Sequence, residues 1–260
     1  MTLFVRSFGA GSDVVLLHGW GFHGAIWDAF AETLVDWGHR VHVVDLPGHG
    51  QSPPLGTPMS IDAVAMAVQE VVPVGAVWVG WSLGGMVALA RAALVGVRAL
   101  VMIAASPRFV REPDWPCAMD PALLAEFGDG LNLNWRMTLT RFLAIQARSV
   151  AGEDVRRLRT LMFNLPPDPV ALAEGLSLLR SADLRVCLRA VHCPTLVLLG
   201  ERDTLVPIEL SAHLLRLRPD WRVHGLSGAG HLPFLTHQAE VLSILAEFLA
   251  KIDAVLAGQQ

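Results

Sequence analysis

The feature that most constrains this chain is a pentapeptide, Gly80-Trp81-Ser82-Leu83-Gly84, held between two contrasting patterns. Before it, Ala76-Val77-Trp78-Val79 is short and apolar, as a buried strand should be. After it, Gly85-Met86-Val87-Ala88-Leu89-Ala90-Arg91 reads as a helix packed on both sides. A strand that becomes a helix within five residues must turn sharply. Glycine at either end of the turn lets backbones pass where a Cβ would clash. The Ser82 hydroxyl is then lifted above the strand end, with the first amides of the helix aimed at whatever it attacks. A glycine-rich turn with an incidental serine is the plainer alternative, and the flanking strand and helix argue against it.

At 260 residues and 53% hydrophobic, the chain has material for one large domain or a domain with an insertion. Such apolar content suits a parallel sheet covered on both faces. The net charge of −4 offers no whole-protein field to nucleic acid. Cys117, Cys187 and Cys193 are odd in number and widely spaced, which predicts free thiols and a reducing cytoplasm. No leader-like pattern opens the sequence, and no apolar run approaches the ~20 residues of a membrane span. A soluble, cytoplasmic protein is therefore expected, with a monomer as the default. The ten histidines show no H-E-x-x-H and no Cys/His cluster, so neither a metal nor another cofactor is expected.

Taken in order, Val14-Val15-Leu16-Leu17 is a buried-type strand ending at His18-Gly19-Trp20-Gly21. Val41-His42-Val43-Val44 is another, ending at Asp45-Leu46-Pro47-Gly48-His49-Gly50-Gln51-Ser52. Helical spacing covers residues 25–37 and 61–72, and residues 99–104 form the strand after the central helix. From about 107 to 188 the alternation stops. Helices are predicted over 121–127, 135–147, 154–161 and 169–179, with no strand among them. A strand over 194–200, a helix over 208–217, a strand over 222–225 and a helix over 238–249 follow, with 254–260 as a frayed tail. This is the pattern of an α/β-hydrolase: a mostly parallel central sheet with helices on both faces and an inserted helical cap. The expected division is a core of residues 1–106 and 189–260 with a cap, or lid, of residues 107–188.

That fold orders its catalytic groups as serine, acid, histidine. Ser82, Asp203 and His231 fit, each just past a predicted strand. A serine hydroxyl is a poor nucleophile at its free pKa and needs a base, which His231 supplies near neutral pH. Asp203 would hold the imidazole tautomer and stabilise the imidazolium. Glu201 is the fallback acid, but Asp203, followed by Val206-Pro207, is the better match. Asp45 precedes the nucleophile and is expected to shape its turn. The backbone amides of Trp20 and Leu83 would form the oxyanion hole, with His18 bracing the first of those loops. The predicted chemistry is acyl transfer to water through a serine ester. Haloalkane dehalogenases and epoxide hydrolases of the same fold place Asp at the elbow, and the latter need cap tyrosines; this chain has Ser82 there and no tyrosine.

Several segments carry a closer likeness. Leu17-His18-Gly19-Trp20-Gly21, the Asp45–Gly50 turn and Gly80-Trp81-Ser82-Leu83-Gly84-Gly85 are shared in part with many hydrolases. Ala104-Ala105-Ser106-Pro107-Arg108-Phe109, Asp114-Trp115-Pro116 and Arg141-Phe142-Leu143-Ala144-Ile145-Gln146 are more distinctive. With them the chain resembles the pimeloyl-[acyl-carrier protein] methyl ester esterases of biotin synthesis. The resemblance implies a carboxylesterase that hydrolyses the methyl ester of a pimeloyl chain on acyl carrier protein. It also implies a substrate site lined by Trp20, Ser82, Leu83, Phe142, Leu143, Ala144, Ile145, Gln146 and His231.

Between residues 136 and 159 of the predicted cap lie Arg136, Arg141, Arg148, Arg156, Arg157 and Arg159, against only Glu153 and Asp154. Acyl carrier proteins are acidic, so a positive face would steer and dock one; a solvated, internally paired helix face is the alternative. The resemblance favours docking. Two further readings stay open: a general short-chain carboxylesterase or thioesterase, and an idle hydrolase fold that binds a small molecule. An intact Ser82, Asp203 and His231 set argues against idleness.

Overall fold

The computed structural model describes residues 2–94, 96–148 and 150–257. Seven strands form one sheet: β1 (Val5–Gly9), β2 (Ser12–Leu17), β3 (His39–Val44), β4 (Val77–Trp81), β5 (Ala99–Ile103), β6 (Thr195–Gly200) and β7 (Arg222–Leu226), in the order β1-β3-β2-β4-β5-β6-β7. Only the β1 pairing is antiparallel. The central strands β4, β5 and β6 are buried at every position. That is why they read as unbroken apolar runs: a parallel strand covered on both faces has no solvent side to alternate toward. Edge strands β1 and β7 keep exposed positions.

Nine helices are described: α1 (Asp28–Asp36), α2 (Ile61–Gln69), α3 (Leu83–Leu94), α4 (Pro121–Gln146), α5 (Gly152–Asn164), α6 (Pro169–Ser181), α7 (Leu210–Leu217), α8 (Pro233–Thr236) and α9 (Gln238–Ala257). Short 3-10 turns cover Gly24–Trp27 and Arg185–Ala190. Helix α3 packs on β4 and β5, α1 on β3, and α7 on β7. No helix among the described residues is long and apolar enough to cross a membrane.

Three details differ from the sequence reading. The helices expected over 121–127 and 135–147 are one helix, α4, kinked at Asn134 (φ −158°, ψ 90°). The Asn134 side chain accepts the Met137 amide, so it restarts the helix much as an N-cap does. Residues 254–257, expected as tail, continue α9; residues 258–260 lie outside the described residues. The segment ahead of α4 is not featureless, since isolated bridges join Val110 to Met119 and Glu112 to Trp115.

Helices α4, α5 and α6 all lie between β5 and β6. The chain enters and leaves this insertion at adjacent points: the Leu184 amide donates to the Pro107 carbonyl at 2.8 Å, and Arg108 bridges Asp183. The buried Arg108 guanidinium also donates to the carbonyls of Ser181 (2.9 Å) and Ala182 (3.2 Å), which have no helical partner at the end of α6.

Candidate active site

Because β2, β4, β6 and β7 run parallel in one sheet, their C-terminal ends share an edge. The loops leaving that edge carry residues 18–24, Ser82, Asp203 and His231 respectively. The parallel strands of one sheet thus bring together groups that run from residue 18 to residue 231 of the sequence, at the edge where open α/β sheets bind ligands.

Ser82 sits at the turn between β4 and α3 with φ 54°, a left-handed conformation that costs a non-glycine residue of order 1 kcal/mol or more. The surroundings enforce it. A Cβ at Gly80 would stand 2.2 Å from the Gly84 carbonyl oxygen, and one at Gly84 would stand 2.4 Å from the Leu17 carbonyl oxygen. Strand and helix therefore approach backbone to backbone. The Ser82 amide extends the sheet ladder to the Ile103 carbonyl at 3.0 Å, while the Ser82 carbonyl accepts the Gly85 and Met86 amides and starts α3. Leu83 is the first residue of α3, so its amide has no acceptor within the helix and faces the turn.

His231 Nδ1–H donates to Asp203 Oδ2 at 2.7 Å, with both side chains almost wholly buried. The carboxylate accepts only, so the ring proton belongs on Nδ1 and the lone pair on Nε2. That Nε2 is buried without a hydrogen-bond partner among the described residues. Asp203 is itself held: its Oδ1 accepts the amides of Leu205 (2.8 Å) and Val206 (3.1 Å). Glu201, the fallback acid, is directed elsewhere. It accepts the Gly228 amide and the Ser227 hydroxyl, both at 2.9 Å, on the exposed side of the turn. Those bonds, the Gly228 amide first, hold its carboxyl below the usual range.

Asp45 ties its own turn to the loop after β2, accepting the Gln51 amide at 2.8 Å and the Gly24 amide at 2.6 Å. His18 braces its loop by accepting the Leu46 amide at 2.9 Å. Trp20 is fully buried, and its indole N–H donates to the Leu172 carbonyl in α6 at 2.9 Å. Phe142 of α4 meets it edge-on at 4.8 Å. Gly175 of α6 lies against both Trp20 and Leu83, close enough that a Cβ there would stand 2.8 Å from the indole. The inserted helices thus close directly over the two residues whose amides were expected to act.

The expected lining segment of residues 142–146 divides by helical period. Phe142, Leu143 and Gln146 face inward and are buried, Ile145 is half-buried, and Ala144 is exposed. One continuous run cannot line a site from a helix, because successive residues turn by about 100°. Ala144 is thus set away from the inward group. Gln146 is 1% exposed, yet neither its Oε1 nor its Nε2 has a partner among the described residues. An unpaired buried amide costs about 1–3 kcal/mol, a cost that a bound polar group would relieve.

Of the arginines between β5 and β6, Arg136 and Arg159 line one surface depression with Met137 and Phe163, and the Arg136 guanidinium stacks 4.5 Å from the Trp135 ring centre. Arg156 and Arg157 line a neighbouring one, where Arg157 pairs with Glu153 (3.3 Å) and Asp154 (3.6 Å). Arg141 and Arg148 are exposed.

Sequence reasoning missed two contributors. Trp81, beside the nucleophile, donates its indole N–H to the His231 carbonyl at 2.8 Å. His49 accepts the Gly21 amide in the loop that carries Trp20. The only available signal was their place inside glycine-rich motifs, which says nothing about a partner far along the chain.

Comparison with known proteins places these features. The family model described as "Alpha/beta hydrolase family" matches residues 14–244. The chain is 46% identical over 255 residues to the pimeloyl-[acyl-carrier protein] methyl ester esterase of Methylococcus capsulatus, covering 96% of this chain and 99% of that one. The protein of the same name from Xanthomonas oryzae is 43% identical over 254 residues, covering 96% and 100%. Among solved structures, an esterase from Exiguobacterium antarcticum matches with a TM-score of 0.89 at 22% identity over 95% of each chain, a likeness of fold.

Proposed function

Since the chain belongs to the alpha/beta hydrolase family and, within it, to the pimeloyl-[acyl-carrier protein] methyl ester esterases, we propose that it hydrolyses the methyl ester of a pimeloyl chain on acyl carrier protein, releasing methanol in biotin synthesis. The observation that carries the chemistry is the buried His231–Asp203 pair, with Nε2 left open at the sheet edge that presents Ser82. Ser82 Oγ attacks the ester carbonyl carbon as His231 Nε2 takes its proton. The Trp20 and Leu83 amides hold the tetrahedral oxyanion, each donor worth about 3 kcal/mol in the barrier. Collapse expels methoxide, which takes the proton back from His231 and leaves as methanol. Water, deprotonated by His231, then attacks the Ser82 ester and frees the carboxylate.

In this reading residues 107–188 form the cap over a core of 1–106 and 189–260. The inward Phe142 and Leu143 wall the acyl chain beside Trp20, and Gln146 offers the one polar contact. Docking of an acidic carrier on the exposed cap arginines draws support from their charge, with Arg136 and Arg159 adjoining exposed Met137. The protein acts as a cytoplasmic monomer, in keeping with its free cysteines.

The test is methanol release from methyl-pimeloyl carrier protein by the purified chain, with Ser82→Ala as control, alongside rescue of a biotin auxotroph lacking this step. Hydrolysis of p-nitrophenyl acetate without action on the carrier-bound ester would reject the substrate and leave a general esterase. Activity retained by Ser82→Ala would reject the mechanism.

A further inference from the structure

Two loops meet beside the proposed oxyanion site, residues 18–24 after β2 and residues 45–52 after β3, and each sends a histidine to the other. His18 Nε2 accepts the Leu46 amide at 2.9 Å, and its Nδ1–H donates to the Gly19 carbonyl at 2.8 Å. His49 Nε2 accepts the Gly21 amide at 3.3 Å, and its Nδ1–H donates to the Pro47 carbonyl at 2.9 Å. An amide on one nitrogen and a carbonyl on the other dictate the same neutral tautomer in both rings. The rings are buried, with centroids 5.3 Å apart.

The consequence falls on Trp20. The Gly19 carbonyl and the Trp20 amide share one trans peptide and point in opposite directions, so the bond from His18 aims the Trp20 N–H. The next peptide carries the Gly21 N–H, and His49 holds that one. Two successive peptide planes are thereby fixed, one on either side of the Trp20 Cα, and the Trp20 amide in the first of them loses its freedom to turn. Gly21 has φ 78°, a conformation open to glycine without strain, so the residue itself restrains the backbone little and the bond to His49 adds a restraint.

We propose that His49 is a positioning residue for the ester hydrolysis: by holding the Gly21 amide it fixes the peptide that follows Trp20, and so completes the restraint on the Trp20 backbone whose own amide is aimed at the oxyanion. The proposal rests on the reading of Trp20 as an oxyanion donor. It requires a neutral ring, because a proton on Nε2 would meet the Gly21 N–H head-on. Burial keeps the ring neutral by pushing its pKa below the ordinary value; the Pro47 carbonyl, Asp45 and Asp168 act toward protonation and His23 against it, with the His18 ring alongside.

Two substitutions separate the ring's two bonds. His49→Asn keeps a donor near the Nδ1 position and loses the acceptor; His49→Gln sets an amide oxygen near Nε2. With p-nitrophenyl acetate, His49→Asn is expected to lower kcat about 10- to 100-fold with KM within about twofold, and His49→Gln to recover most of that loss. Equal losses in both variants, or a loss confined to KM, would overturn the proposal. If either variant fails to fold, the 15N shifts of the His49 ring in the unsubstituted protein at pH 6 decide: a neutral ring with its proton on Nδ1 supports the proposal, and a proton on Nε2 overturns it. An unsubstituted protein inert toward esters would reject the assigned function, while the ring-nitrogen measurement would still judge whether His49 holds Gly21.

Discussion

Trp81 and His231 are joined by a hydrogen bond from the indole N–H to the backbone carbonyl, 2.8 Å long and spanning 150 residues. The residue before the nucleophile thus holds the backbone of the residue proposed as its base. The indole is also locked by edge-on contacts with Phe22 and Phe234, each 5.3 Å between centroids. Serine and imidazole therefore share a rigid support.

Replacing Trp81 by Phe keeps most of the packing and removes only the donor. The expected cost is about 1 kcal/mol in stability, together with a fall of about tenfold in kcat as the imidazole drifts. Urea midpoints and steady-state kinetics on one ester measure both. An unchanged kcat would show that the loop holds His231 without this bond.

The choice of acid is tested by Asp203→Asn beside Glu201→Gln. The first is expected to lower kcat by about 10⁴-fold, since an amide at that position favours the wrong imidazole tautomer. The second removes a charge bonded only to Ser227 and Gly228 and should leave kcat within about threefold. The reverse ranking would move the acid to Glu201.

Burial lowers the pKa of His18 and His49 in the folded protein, whereas in the unfolded chain both titrate near about 6.5. Unfolding below that pH therefore takes up protons. Stability is full above about pH 6.5 and declines as pH falls toward the folded-state values. Urea midpoints at pH 7.5 and pH 5.5 should show the lower value in acid, with a smaller difference in His49→Gln. A flat profile would contradict the burial of these rings as neutral bases.

Carrier docking is probed by Arg136→Glu with Arg159→Glu, chosen because Arg157 already pairs with Glu153 and Asp154. KM for the carrier-bound ester is expected to rise about tenfold or more and to lose its salt dependence, with p-nitrophenyl acetate unaffected. Equal effects on the two substrates would place these arginines in cap stability instead.

Much of this was legible in the amino-acid order. The apolar runs of β4, β5 and β6 announced strands because both faces are covered. The turn around Ser82 announced itself because only glycine fits beside Leu17 and Gly84 backbone. The proposed serine, acid, histidine succession follows the order that this fold uses, with each residue just past a strand end. Less legible were the kink at Asn134, set by a side chain bonding its own backbone, and the inward set within residues 142–146, which a motif cannot divide into faces.

What the sequence determined by itself was the local geometry: which segments are strand or helix, where the chain must turn, and which residue types stand at the turns. Periodicity and steric allowance act over a few residues, so they leave a trace in the residues themselves. Only the tertiary structure decided the partners: Trp81 with His231, Trp20 with Leu172, His18 with Leu46, His49 with Gly21. A hydrogen bond between distant segments depends on strand order and register, and neither end carries a mark of the other until the sheet has brought them together.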